Sequence, residues 1–438
     1  MLRDWPRFVS ACRSRYGSVF MVHIAVVGKL VYIDDPAQIR KVFAGDPAVY
    51  HAGEANAILG GILGDSSVLV IDGDVHRERR RQMLPAFHRD AVARQVSVMQ
   101  EVAAANIATW PVNIEFPVAP KMSELTLEVI LRTVIGASDP ARLAALRDVM
   151  LKLLNVTPWA SAAIAFPNLQ QRRPWRALRR NIEEADRLLY AEIADRRADP
   201  GLATRADALA MMVRAGHDDE SAMTDTELRD QLMTLLVAGH DTTATGLAWT
   251  LERLTRHPAV LAKAVRAAEA AAAGDPDGDE YLDAVARETL RIRPVVFEVG
   301  RVLKEPVELA GYHLPAGVMV APGIGLVHSC STHYPEPDRF DPERMVGVTP
   351  GPTVFLPFGG GVRRCLGAAF AAVEMRVVLR EVLRRVDLCT TTAAGERPKV
   401  KHVILIPHRG ARIRVRANRD IPTTAGTAAN APSCMHSS

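Results

Sequence analysis

The chain has 438 residues, 48% of them hydrophobic and 24% charged, proportions that exclude a disordered, fibrous or collagen-like protein. Its 54 Lys and Arg against 50 Asp and Glu leave a net charge of +4, too small a surplus at this length to signal a nucleic-acid or polyanion partner. Five cysteines (Cys12, Cys330, Cys365, Cys389 and Cys434) are widely spaced with no CxxC pair, which argues against a zinc ribbon or disulfide scaffold and for a reducing, cytoplasmic compartment.

The opening residues hold no apolar signal core, and no apolar run reaches the roughly 18 residues that span a bilayer, so a soluble protein is expected. After a first helical segment, SVFMVHIAVVGKLVYIDD (Ser18 to Asp35) is rich in β-branched residues and broken by Gly28. That pattern predicts two short strands and a turn, a β-rich part over about 17–35. A helix is expected from Pro36, in the first-turn position proline favours. From about 74 to about 291, apolar residues recur at three- and four-residue spacing, predicting a helical body. Beyond Pro294, extended stretches punctuated by Gly311 and Pro315-Ala316-Gly317 predict a second β-rich part over about 295–322. A Pro-rich irregular stretch leads into a glycine-rich loop, 357–367, and a helix beginning near Cys365. Residues 417–438 have few large apolar side chains and read as a disordered tail, leaving 1–416 as one domain. No internal repeat is found.

The loop PFGGGVRRCLG, Pro357 to Gly367, sets one cysteine behind three glycines and two arginines. An isolated cysteine is ordinarily a small buried hydrophobe. Here Cys365 stands where the apolar stripe of Phe370, Val373, Val377 and Val378 begins, so helix-terminal N–H groups and the dipole are expected to favour a thiolate. Arg363 and Arg364 add positive charge. A thiolate is either a nucleophile or a metal ligand. A cysteine hydrolase needs an activating base, and no histidine has a recognisable relation to this loop. The ligand reading also accounts for Gly359, Gly360, Gly361 and Gly367, which would let a flat, bulky group lie on the backbone without Cβ clashes. Haem with a proximal cysteine meets both demands.

Phe358-Gly359-Gly360-Gly361-Val362-Arg363-Arg364-Cys365-Leu366-Gly367 matches the pattern F-x-x-G-x-R-x-C-x-G at every fixed position, and on it the chain resembles the cytochrome P450 family of haem-thiolate monooxygenases. The resemblance runs from about Tyr16 to about Val415. It implies the cytochrome P450 fold, mainly α with a small β-rich lobe, enclosing haem b. It makes Cys365 the axial thiolate ligand of the iron, sets Phe358 near the thiolate, pairs Arg363 with a haem propionate and places Gly361 and Gly367 in the cradle.

The segment LLVAGHDTTATGLAWTL, Leu235 to Leu251, read alone is a bent helix whose hydroxyls are satisfied locally; each of its two glycines costs about 1 kcal/mol relative to Ala and its carboxylate needs a partner. Ala238 to Thr243 is also similar to the family's [A/G]-G-x-[D/E]-T-[T/S] motif on the helix crossing the distal haem face. By that resemblance Gly239 leaves room for dioxygen, and Asp241 and Thr242 form an acid–alcohol pair that positions water and relays protons, which heterolytic O–O cleavage requires. His240 is read as a packing or surface residue. Glu288 and Arg291, three residues apart in RETLRIRP, alone would be a surface ion pair of small effect. They resemble the family's E-x-x-R, which implies a buried structural charge network with Arg344 of DPERM. His76 and Arg80, one helical turn apart in DGDVHRERRRQM, belong to a solvated basic face with Arg77, Arg79 and Arg81 or, by similarity to D-G-x-x-H-x-x-x-R, bind the propionates. Arg301 matches the family's other propionate-binding position.

What the resemblance implies is a monooxygenase that inserts one atom of dioxygen into an apolar, lipid-like substrate such as a fatty acid, sterol or terpenoid. Ala57 to Val70, Leu235 to Thr242 and Val295 to Val299 are the expected lining. No flavin or iron–sulfur module is visible, so electrons are expected from a ferredoxin or flavodoxin with its NAD(P)H-dependent reductase. Arg364, Arg376, Arg380 and part of the Arg77 to Arg81 cluster either dock that partner or form an ordinary solvated face. A monomer without nucleic-acid partner is expected. Two departures stand out: the Pro-rich lead-in and membrane anchor are absent, as in a soluble bacterial type or a chain started too far downstream, and Ser329 to His333 replaces a charged, aspartate-containing turn. The rival readings are a peroxide-driven oxygenase or isomerase on the same fold, a non-catalytic haem sensor or carrier, and a cysteine nucleophile without haem.

Overall fold

In the computed structural model, which describes residues 4–24, 28–137, 139–154, 164, 167–172, 175–215 and 222–419, helix α1 (Trp5–Tyr16) leads into the expected hairpin. Strands β1 (Val19–Ile24) and β2 (Gly28–Ile33) pair antiparallel, with Val19 opposite Ile33. Helix α2 (Pro36–Ala44) starts where Asp35 accepts the N–H of Gln38 at 2.9 Å, a side-chain N-cap. The two-residue strand β3 (Tyr50–His51) follows, then α3 (Gly73–Met83), α4 (Val96–Ile107), β4 (Glu115–Pro117), α5 (Ala119–Ile130) and α6 (Arg176–Ala198). Helix α7 (Asp225–Arg256) opens with a capping box: Thr224 Oγ1 accepts the N–H of Glu227, and the Glu227 carboxylate accepts the N–H of Thr224 at 2.8 Å. At 32 residues it runs for about 48 Å at 1.5 Å per residue through the middle of the molecule. Helices α8 (Pro258–Ala272) and α9 (Pro276–Ile292) complete the helical body.

The chain then forms β5 (Arg301–Leu303), β6 (Val307–Leu309), β7 (Tyr312–Leu314) and β8 (Met319–Pro322), followed later by α10 (Ala368–Arg385), β9 (Val386–Leu388), β10 (Pro398–Lys401), β11 (Ile404–Pro407) and β12 (Arg412–Asn418). The first sheet has the order β1-β2-β8-β5-β3; β2 and β8 run parallel, and Arg301 of β5 lies opposite Val320 of β8. β4, β12 and β9 make a second sheet, and β6-β7 and β10-β11 are separate hairpins. One large apolar core fills the space between the helices, with α5, α7 and α10 at its centre. A smaller cluster around Trp5, Phe20, Tyr32 and Phe297 fastens α1 to the first sheet.

Three expectations change. Strand β4 interrupts the helical body, and strands β9 to β12 were not expected. These strands are three to seven residues long, and β9 continues directly from α10 with no turn residue between them. Their pairing is also distant: β4 meets β12 with Phe116 opposite Ile413, and no local pattern encodes that contact. β12 continues to Asn418, past the boundary expected at 416, and its end pairs with Val386. The rest of the tail, 420–438, lies outside the described residues.

Candidate active site

The glycine-rich loop folds back on itself before α10 begins. Cys365 N–H donates to the Phe358 carbonyl at 2.9 Å, and Arg364 N–H to that of Gly361 at 3.1 Å. Phe358 packs on the main core. Gly361 has φ of 66°, the left-handed region that glycine alone enters freely, and a Cβ there would run into the Phe43 carbonyl of α2. Gly361 therefore serves the turn and its packing on α2. A Cβ at Gly367 would meet no atom within 4 Å, leaving that face of the backbone open. The helix starts at Ala368 with Gly367 as its N-cap, so Cys365 precedes the first turn instead of occupying it. The thiol is surface-accessible, yet the protein around it is dense enough that burial pushes its pKa up, against the opposing pull of the Gly367 N–H, Arg364 and Arg80. Coordination to a metal ion, which deprotonates a thiol outright, would favour the thiolate here.

Around this loop the fold gathers cations from three distant parts of the chain. His76 and Arg80 project from one face of α3, Arg301 comes from β5 and Arg363 from the loop, and His76 feels all three guanidinium groups, with Arg80 also coupled to Cys365. Burial and the neighbouring guanidinium groups of Arg363 and Arg80 bring His76 down to about 4, so it is neutral at physiological pH. Burial, then Arg363, lowers Arg301 to about 10. Arg363 ion-pairs with Asp72 and donates to the carbonyls of Ile71 at 2.6 Å and Val68 at 3.1 Å. Asp72 in turn accepts the N–H groups of Ala52, Gly53 and Glu54 at 2.9 to 3.0 Å. Asp72 thus pairs with Arg363 and also acts on buried Arg301, while Arg80 stands apart from it, beside Cys365. Buried charge of this kind needs compensation, which the two propionates of a haem would supply.

On the other side, α7 is buried along most of its length, but Val237, Ala238, Gly239, Asp241 and Thr242 keep accessible surface. Its hydroxyls are satisfied within the helix: Thr242 donates to the Ala238 carbonyl at 2.7 Å, Thr243 to Gly239 at 3.2 Å and Thr245 to Asp241 at 2.7 Å. At Gly239 a Cβ would strike Ile130 Cδ1 of α5; the glycine permits close approach of two helices. His240 is the packing residue expected: fully buried, it bonds Ser123 Oγ at 2.8 Å, while Thr126 donates to its carbonyl at 3.1 Å. Burial lowers it to about 4. Asp241 does not bond Thr242; its carboxylate accepts from Lys401 Nζ at 2.8 Å.

Glu288 and Arg291 are 0% and 1% exposed and bonded twice, at 2.7 and 2.8 Å, so the surface reading fails. Arg344 joins Glu288 at 3.2 Å, and the N–H of Asp341 donates to the same oxygen at 3.0 Å. Arg291 reaches the His328 carbonyl at 2.8 Å, and His328 Nε2 accepts the N–H of Leu356, close before the cysteine loop, also at 2.8 Å. The network therefore reaches the loop through His328, a residue that the sequence reading passed over. Asp72 and Lys401 were missed as well. Asp72 precedes a glycine at a helix start, a findable signal; Lys401 has none, because its partner lies 160 residues away.

The other assignments divide. Loop 57–70 does meet α7: Ser67 Oγ lies 2.6 Å from Thr234 Oγ1, and Val68 N–H donates to Gln231 Oε1 at 2.9 Å. In Val295 to Val299, however, Phe297 joins the α1 cluster and Glu298 accepts from Trp5 Nε1 at 3.2 Å, so these two turn away from α7. The basic face is largely neutralised: Arg376 pairs with Asp283 at 2.7 Å, Arg380 with Asp279 at 3.4 Å and Arg81 with Glu78 at 2.7 Å, while Arg77 meets Asp74 and Arg79 meets Glu227.

A family model described as cytochrome P450 matches residues 4–415. The chain belongs to the cytochrome P450 family. It is 70% identical over 434 residues to a Mycobacterium tuberculosis protein described as "Putative cytochrome P450 135B1", covering 99% of this chain and 92% of that one. A second M. tuberculosis relative, "Putative cytochrome P450 135A1", is 38% identical over 94% of this chain and 91% of its own length. Among solved structures, a retinoic acid-bound cyanobacterial CYP120A1 superposes with a TM-score of 0.81 at 22% identity over 94% of each chain. A cytochrome P450DA heme domain gives 0.78 at 25%, over 94% of this chain and 92% of its own. The cytochrome P450 fold expected from the sequence is therefore correct, and with it the haem-thiolate monooxygenase class, whose haem b takes a cysteine thiolate as axial ligand. Among the described residues no helix is long and apolar enough to cross a membrane.

Proposed function

We propose that this cytochrome P450 binds haem through Cys365 and oxidises an apolar, lipid-like substrate with electrons from a separate ferredoxin or flavodoxin and its NAD(P)H-dependent reductase. The observation that carries the reading is the set of groups beside Cys365: Arg80 acts on its thiol, His76 feels Arg80, Arg301 and Arg363, and Arg363 feels Arg80. Bound haem would supply the activation of dioxygen. Cys365 would hold the iron, with its N–H fixed on the Phe358 carbonyl. Arg80, Arg301 and Arg363, with neutral His76 as a hydrogen-bond donor, would hold the propionates; Gly367 leaves the backbone open beside them. Asp241 and Thr242 would carry protons from the α7 side. Leu59, Leu69, Val237 and Val296, apolar and only partly buried, would favour a substrate with little polar surface. Glu288, Arg291 and Arg344 keep the cysteine loop in register and touch no reactant.

Purified protein given a reductase, a ferredoxin, NADPH and dioxygen should form product from compounds that shift its Soret band in a screen across fatty acids, sterols and terpenoids. Binding without product would make it a sensor or carrier. Steady turnover on peroxide alone, never on the electron-transfer system, would favour the peroxide-driven rival.

A further inference from the structure

Lys401 is the last residue of β10 and stands opposite Ile404 of β11, which leaves His402 and Val403 as the two-residue tip of a hairpin. His402 has φ of 54°, a left-handed conformation that a residue with a side chain keeps only where its surroundings hold it. The hairpin is pinned at its base: Leu405 N–H donates to the Val295 carbonyl at 2.8 Å, and Trp249 Nε1 of α7 donates to the Leu405 carbonyl at 2.9 Å. Near its tip it makes an ion pair with α7, Lys401 Nζ to Asp241 Oδ2 at 2.8 Å, with the two side chains 23% and 17% exposed. Partial removal from water strengthens such a pair beyond a surface bridge.

Within α7, adjacent residues point about 100° apart and do not face each other. Thr242 accordingly donates to the Ala238 carbonyl and not to Asp241. The position of the Asp241 carboxylate is set from outside the helix, by the hairpin. His402 and His240 are the other titratable groups coupled to it.

We propose that Lys401 is a positioning residue for proton delivery: it holds the Asp241 carboxylate on the accessible stretch of α7 and ties it to the tip of the β10-β11 hairpin. This rests on the reading of Asp241 as relay acid. In the absence of substrate, dioxygen leaves either as hydrogen peroxide, taking two electrons and two protons, or as two waters, taking four of each; all electrons come from NADPH through the ferredoxin. The share leaving as peroxide therefore reports how well protons are delivered.

The test uses the full-length haem-loaded protein with a ferredoxin, its reductase and NADPH, and compares Lys401→Met, Lys401→Arg, Asp241→Asn and the Lys401→Met/Asp241→Asn double variant. Peroxide formed per dioxygen consumed should rise at least twofold in Lys401→Met, return towards wild type in Lys401→Arg, and be no higher in the double variant than in Asp241→Asn. The reduced carbon monoxide spectrum should be unchanged throughout. Urea midpoints supply a readout independent of turnover: the double variant should fall by less than the sum of the single shifts. Should Lys401→Met fail to fold, Lys401→Gln replaces it. A wild-type peroxide share in Lys401→Met, while Asp241→Asn raises it, overturns the role of Lys401; a wild-type share in Asp241→Asn overturns the relay reading and this proposal with it. Independent, multiplying effects of the two replacements also overturn it.

Discussion

At Cys365 the protein and its cofactor pull in opposite directions. Its surroundings push the thiol's pKa up, whereas coordination to a metal ion would favour the thiolate. The same scale shows where sequence patterns mislead. Gly239 and Gly361 sit in motif positions, but the atoms a Cβ would meet belong to Ile130 and Phe43; a glycine's position in a motif does not reveal which neighbour it makes room for. Glu298 was legible as part of an apolar stretch, not as a buried acid. Its carboxyl accepts from Trp5 Nε1, leaves Oε2 buried and unbonded, and is pushed by burial from the ordinary 4.5 up to about 7. The folded state therefore favours the protonated form. Its contribution to stability is fully present below pH 4.5 and is lost as the pH rises to about 7. Glu298→Gln removes this dependence, and urea melts across that window should show the variant gaining on wild type by roughly 3 kcal/mol at most. Parallel stability curves would contradict the burial of this acid.

At the scale of elements, the long helices were legible because α7 and α10 repeat apolar residues at helical spacing, and α7 announces its start with Thr224 and Glu227. The C-terminal strands were not, because each depends on a partner far along the chain. The E-x-x-R pair was visible as a motif but not as buried, since helical spacing alone does not tell which face meets solvent. Now that Glu288 and Arg291 are known to be at 0% and 1% exposure, Glu288→Ala should lower the unfolding free energy by about 3–5 kcal/mol, the cost of stranding a buried charge, and should impair haem retention. A loss under 1 kcal/mol in chemical denaturation would place the pair near solvent. On α7, Thr242→Ala removes only a hydroxyl bonded to its own helix, so the fold and the carbon monoxide spectrum should stay as in wild type. Peroxide released per dioxygen should rise several-fold, as expected when a proton-handling group is lost; unchanged coupling would remove Thr242 from the relay.

Across the whole molecule, the fold's work is convergence. Residues from 72 to 365, carried on α3, β5 and the cysteine loop, come within electrostatic reach of one another, and α7 keeps Asp241 and Thr242 partly accessible. Motif spacing made the participants legible one by one; that His76 feels all three arginines, and that Asp72 pairs with Arg363, required the folded chain. The central claim is that Cys365 is the thiolate ligand of a haem. Its most direct test is the absorption spectrum of the reduced, carbon monoxide-treated protein beside that of Cys365→Ala. Wild type should be red and show the red-shifted Soret band of thiolate ligation, and Cys365→Ala should lose that band while its far-ultraviolet circular dichroism keeps the helical signal. A folded but colourless wild type, or a thiolate band that survives the replacement, would contradict the assignment.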